Sequence, residues 1–236
     1  MRLDKFLCES QGITRSVAGN MVKKGRVNIN GQRAKSASIK VQPDDDIISL
    51  DGEPVMADAG FQYFMMHKPA GYVCANQDSE HPIVFDLLKN EKKLKNLHTV
   101  GRLDKDTTGL LFITDDGNWS HVMTSPKHDH PKTYRTFLAE PLIEDAEQQC
   151  HQGFMLNNET HPTKPAVLER ISDHEVLLTI SEGRYHQVKR MFAAMGNRVE
   201  KLHRENIAGI PLDPKLAPGE YRTLTPSERL ALGITP

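Results

Sequence analysis

Cysteine is scarce. Cys8, Cys74 and Cys150 are the only three in 236 residues. They are too few and too scattered for a disulfide framework or a CxxC metal site, and a reducing cytoplasm is the expected setting. Long hydrophobic runs are missing too. No stretch approaches 18 apolar residues, so neither a membrane span nor a membrane partner is expected. The first residues, MRLDKFLCESQG, carry acids and only a short apolar patch, unlike a secretory leader. Internal repeats and low-complexity runs are absent. His121, His128, Asp129 and His130 lack the converging spacing that zinc needs, so no metal site is expected.

Net charge is also nearly absent, at -1, but it is unevenly spread. Residues 1–42 hold nine Lys or Arg and only two acids, Asp4 and Glu9, a local excess of +7. Asp44, Asp45 and Asp46 follow at once. A basic module with an acidic border suits a polyanion such as RNA, although a solvated Lys/Arg surface reads the same way. The overall content of 38% hydrophobic and 26% charged residues fits a globular protein with one large domain, or a medium one and a small one.

Within the basic module, Leu3, Phe6 and Leu7 share a helix face. Thr14 or Ser16 can cap a second helix with Val17, Met21 and Val22 inward, ended by Gly25. Val27 and Ile29 alternate with polar residues up to Asn30-Gly31, a preferred two-residue hairpin turn. Ile47, Ile48 and Leu50 form a last strand. The small and polar residues 53–60 read as a linker. Strands are expected at 61–67, 97–103, 110–114, 133–139, 166–171 and 175–180, and helices at 83–90, 143–151 and 185–195. The last helix has Val188, Met191, Phe192 and Met195 on one stripe before Gly196. Strands outnumber helices without strict alternation, so the fold class is α+β with a mixed, largely antiparallel sheet.

Two resemblances sharpen this reading. The run of Arg2-Leu3-Asp4, Arg15-Ser16, Gly25 and Val27-Asn28-x-Asn30-Gly31 resembles the S4 RNA-binding domain. That implies an S4 module over residues 1–57, with Arg15, Lys23, Lys24 and Arg26 following an RNA backbone through phosphate contacts. Further on, HKPAGYV (67–73), VGRLDKDTTGLLFITDDG (100–117), PKTYRT (131–136) and EGRYHQVKRMF (182–192) resemble, in that order, the pseudouridine synthase family named for the small-subunit rRNA enzyme RsuA. A catalytic domain over 61–236 is implied.

From the residues alone, Asp104 stands where a strand ends and a loop begins, a rigid edge suited to a catalytic group; Asp capping a turn is the plainer alternative. The resemblance makes Asp104 the catalytic carboxylate. It places Tyr134 against the target base, and Lys189 as the charge partner of Asp104. Many relatives have Arg at that position; Lys gives a single contact in place of a bidentate one. Lys68-Pro69-x-Gly71 is read as a structural turn near the cleft. Arg102, Lys105, Arg184 and His186 are candidate RNA contacts. The resemblance implies isomerisation of one uridine of ribosomal RNA, small-subunit rRNA or an assembly intermediate, by a monomer without a cofactor. A non-catalytic rRNA-binding or ribosome-assembly protein is the principal alternative, and a metal-dependent RNA hydrolase is another.

Overall fold

The structure, a computed structural model, describes residues 1–11, 13–43, 45–55, 61–88 and 96–234. The chain divides into two compact units, Met1–Gln62 and Tyr63–Pro236.

The first unit begins with α1 (Leu3–Gln11), which buries Leu3, Phe6 and Leu7 as their spacing predicts. In α2 (Arg15–Lys23), Thr14 is the cap, its hydroxyl accepting from the Val17 amide at 3.4 Å. The buried stripe of α2 is Ala18 and Val22, flanked by half-buried Met21. Val17, expected inward, is 40% exposed, because the i, i+4 pair that faces the core is 18 and 22. Gly25 leaves the helix at φ 73°.

Strand β1 (Val27–Ile29) turns through Asn30 (φ 50°) and Gly31 (φ 78°) into β2 (Gln32–Arg33), the expected two-residue hairpin. β3 (Ile48–Leu50) is not the last strand. Asp51-Gly52, at φ 53° and 90°, makes a second such turn into β4 (Glu53–Val55). Part of the stretch read as linker is therefore strand; 56–60 lie outside the described residues. Sheet order is β2-β1-β3-β4.

The second unit is built on a mixed sheet. Its described elements are β5 (Tyr63–Lys68), a 3-10 turn at Val84–Leu87, β6 (His98–Val100), β7 (Thr108–Thr114), α3 (Gly117–Thr124), β8 (Lys132–Leu138) and α4 (Ala146–Gln152). After these come β9 (Val167–Arg170), β10 (Glu175–Ile180), α5 (Gln187–Ala194), β11 (Val199–Ile207), β12 (Ile210–Pro211), β13 (Tyr221–Thr223) and α6 (Pro226–Ala231). The order is β13-β5-β7-β11-β8-β10-β9, with β6 on β7 and β12 on β11. Among the described pairings within this sheet only β7 with β11 is parallel, so the largely antiparallel expectation holds.

Central strand β7 buries Leu110, Leu111, Phe112 and Ile113 completely, the continuous apolar run of a strand covered on both faces. One core cluster joins Tyr134, Leu178 and Ile180 to Cys150 of α4 and to Met191 and Phe192 of α5. Another joins Tyr63 and Phe112 to Trp119 and Met123 of α3.

The helix expected at 83–90 is only the 3-10 turn, with 89–90 outside the described residues. The strand expected at 97–103 stops at Val100, since Gly101 (φ 75°) turns the chain. The longest strand, β11, was not expected at all. Its sequence VEKLHRENI hides the inward set because one inward residue is Arg204, 2% exposed, between buried Leu202 and Ile207.

Candidate active site

The site is assembled around the loop between β6 and β7. Leu103 is drawn into the core at 7% exposure, which turns Asp104 outward with its side chain 28% exposed. The backbone of this loop is held from below by Lys68, at the end of β5 and fully buried. Its ammonium donates to the carbonyl oxygens of Thr107 (2.8 Å), Asp104 (3.0 Å), Pro69 (3.1 Å) and Lys105 (3.4 Å). Burial pushes the Lys68 pKa down. The Gly71 amide donates to the Lys105 carbonyl at 2.8 Å, and the Leu103 amide to Cys74 Sγ at 3.4 Å. The Lys-Pro-x-Gly turn thus clamps the backbone on which Asp104 stands.

Helix α5 and the residue that precedes it supply the side chains facing that carboxylate. Lys189 Nζ lies 3.2 Å from Asp104 Oδ2, a single contact, and His186 Nε2 lies 3.3 Å from Oδ1. Lys189 is shared: it also donates to both carboxylate oxygens of Asp106, at 2.7 and 2.9 Å. Burial works against its charge, but the two carboxylates outweigh it and its pKa rises. The hydrogen bond from Lys189 in turn holds Asp106 below the usual carboxylate range.

Beside Asp104 opens a cleft of about 460 Å³. Tyr134 lines it while packing in the core, only 8% exposed; its ring is a wall of the cleft and a core side chain at once. Its phenol oxygen accepts from Arg204 Nη1 at 3.3 Å. Arg204 Nε donates to the Leu110 carbonyl at 2.8 Å, and Nη2 is buried without a partner among the described residues. Lys132 completes the basic lining, and burial pushes its pKa down to about 8. Arg204 can lie against β7 only because position 109 is glycine. A Cβ there would come within 2.3 Å of the Arg204 carbonyl oxygen, so the Gly in Thr-Thr-Gly-Leu is a close-approach residue.

The other candidate residues are placed as follows. Arg102 is exposed at the cleft and, among the described residues, makes no hydrogen bond. Arg184 lines the cleft, but its guanidinium is engaged by Glu182 (3.1 Å) and the carbonyls of His161 (2.8 Å) and Pro162 (2.6 Å). In the first unit Arg15, Lys23 and Lys24 are exposed on and just after α2, while Arg26 is paired with Asp51 at 2.5 Å. Among the described residues, no group of three His, Cys, Asp or Glu side chains is placed to hold a metal ion. Sequence reasoning missed Arg204 and Lys132, and gave Lys68 only the role of a turn residue. The available signal was a cation at an inward strand position, which demands a buried partner.

A basic two-helix module and a mixed sheet carrying a clamped carboxylate beside an aromatic-walled cleft define an RNA-directed enzyme class. The chain belongs to the RNA pseudouridylate synthase family, whose model matches residues 62–194, and an S4 domain matches residues 1–47. It is 51% identical to Ribosomal small subunit pseudouridine synthase A of Escherichia coli K12, over 97% of this chain and 98% of that protein. The namesake protein of Yersinia pestis is 52% identical over 99% of this chain and 98% of its own length. A solved structure described as a pseudouridylate synthase superposes with a TM-score of 0.70 at 48% identity, covering 98% of this chain and 99% of that one.

Proposed function

We propose that this protein isomerises one uridine of small-subunit ribosomal RNA to pseudouridine, with Asp104 as the reacting carboxylate. The observation that carries the reading is the Asp104 carboxylate, held by Lys189 and His186 beside a cleft walled by Tyr134. Pseudouridine formation breaks the N1–C1′ bond, turns the uracil, joins C5 to C1′ and, in net terms, moves the C5 proton to N1. No atom or electron is gained, so the reaction calls for no cofactor. The nucleotide leaves its stack and its base enters the cleft against the Tyr134 ring.

An ionised Asp104 serves either route, attack on C1′ or removal of the C2′ proton, and the Lys189 ammonium 3.2 Å away holds the carboxylate in place. The basic lining from Arg102, Lys132 and Arg204 suits the phosphate and carbonyl oxygens of RNA. Residues 1–57 act in this reading as the S4 RNA-binding domain, with Arg15, Lys23, Lys24 and Arg26 on phosphates, and 61–236 as the catalytic domain. The protein works as a cytoplasmic monomer on rRNA or an assembly intermediate. Carbodiimide labelling of rRNA from cells lacking the protein, then resupplied with it, tests this. One uridine position should lose and regain its label; a label pattern indifferent to the protein refutes the assignment.

A further inference from the structure

Tyr185 is left without a task by the mechanism, and its placement is unusual for an aromatic residue. It is 72% exposed at the cleft rim. One face of its ring lies on His186, with centroids 3.8 Å apart and planes 20° from parallel. The edge of His186 in turn reaches Asp104 at 3.3 Å. Two stacked rings therefore run outward from the reacting carboxylate. The backbone beneath them is pinned. The Tyr185 carbonyl accepts from Arg190 Nη1 at 3.1 Å, Arg190 is anchored on Glu159 at 2.9 Å, and Arg184 is tied to the His161 and Pro162 carbonyls. Tyr185 thus presents a flat apolar surface from a rigid turn, without burying it against the protein. Exposed Arg102 and Lys105 line the same cleft.

We propose that Tyr185 is a stacking platform for the nucleobase next to the target uridine in the RNA strand. The inference rests on the functional reading above. When the target nucleotide is extruded, its ribose comes to Asp104 and its neighbour loses a stacking partner. His186 touches Asp104 and Tyr185 lies one ring further out, on the path a base one step along the strand would take. The neighbouring base continues the two-ring stack on the free side of Tyr185, replacing the contact it lost. Every base has a π-face, so the platform supports the extruded conformation without dictating the neighbour's identity.

The test uses the full chain and Tyr185→Phe and Tyr185→Leu. Because the ring is exposed, both variants should melt as the wild type does. The probe is a short oligouridine with one internal 2-aminopurine, whose fluorescence falls on stacking. Wild type and Tyr185→Phe should quench it on binding, and Tyr185→Leu should not. On small-subunit rRNA, Tyr185→Leu should raise KM by about tenfold with kcat within roughly twofold, the pattern of lost binding. Quenching by Tyr185→Leu equal to wild type overturns the platform. So does a fall in kcat at unchanged KM, which would place Tyr185 behind His186 at Asp104. Isomerisation by the wild type is scored separately by carbodiimide labelling. Its absence with Tyr185-dependent quenching intact overturns the functional reading and leaves the stacking site standing.

Discussion

Replacing Lys68 with methionine separates two opposed effects in the clamp under Asp104. Methionine has nearly the same length and no charge, so it removes the desolvation cost that pushes the lysine pKa down. It also strips a shared donor from the carbonyls of Pro69, Asp104 and Thr107, all within 3.1 Å of the ammonium, and from Lys105 at 3.4 Å. A hydrogen bond to a charged group contributes about 1.5–3 kcal/mol, and a buried acceptor left unpaired costs about 1–3 kcal/mol. Several carbonyls converging on one empty point also repel each other, so loss of the donor outweighs relief of the charge. The net cost is expected at about 2–4 kcal/mol, less than the sum because the loop relaxes. Urea unfolding should show it as a lower midpoint at unchanged slope. The folded fraction should isomerise uridine slowly, since the relaxed loop carries Asp104 away from Lys189. Lys68→Met as stable as wild type to within about half a kcal/mol, and fully active, would refute the clamp.

Three further outcomes follow from the same geometry. Asp104→Asn should abolish isomerisation while leaving RNA binding and melting temperature nearly intact, and Asp106→Asn, 73% exposed at the side chain, should be milder; a tenth of wild-type turnover in Asp104→Asn would remove Asp104 from the reaction. Tyr134→Ala should cost about 3–5 kcal/mol in thermal unfolding because the ring is a core side chain, whereas Tyr134→Phe should cost only about 1 kcal/mol, the bond to Arg204; an Ala variant that melts normally would take the ring out of the core. The Glu228 carboxyl, held at about 2 from an ordinary 4.5 by Arg222, is a depressed acid; its stabilisation of roughly 2–3 kcal/mol is complete above pH 4.5 and is lost as pH falls through 2, so Glu228→Gln should flatten acid unfolding across that window, and an unchanged acid profile counts against the ion pair.

The parts of this protein that could be read ahead of the structure are those in which one residue type has one physical use. Asn30-Gly31 is such a case, a hairpin turn; Asp51-Gly52 carries the same signal, but the sequence reading makes the strand ending at Leu50 the last and the residues from 53 a linker. The α5 stripe and its Gly196 stop are equally direct. Strand β11 was hidden because its inward positions include a cation, and a hydrophobic pattern cannot register a buried guanidinium bonded to the Leu110 carbonyl and the Tyr134 hydroxyl. At the site, Asp104 and its single contact with Lys189 were legible as a motif and as a charge argument. The division of Lys189 between two carboxylates was not, because it depends on the loop bringing Asp106 to the same ammonium. Nor could composition show that Tyr134 belongs to the core and to the cleft together.

On the proposed reading, the cations of the second unit divide between holding the Asp104 carboxylate and meeting an RNA strand, in a chain of net charge -1. Lys68 is enclosed by backbone oxygens and fixes the loop. Lys189 is held between Asp104 and Asp106, so its charge serves the carboxylates and is largely unavailable to phosphate. Arg184 and Arg190 are tied to Glu159 and to backbone carbonyls, where they brace the turn before α5. Arg102 and Lys105 remain exposed at the cleft, and half-buried Lys132 and buried Arg204 line it from within. A cleft that bound RNA through the same ammonium that orients Asp104 would lose that orientation as each phosphate arrived. Assigning the two tasks to different cations lets phosphate attraction vary with salt while the Asp104–Lys189 contact, partly buried, is screened far less.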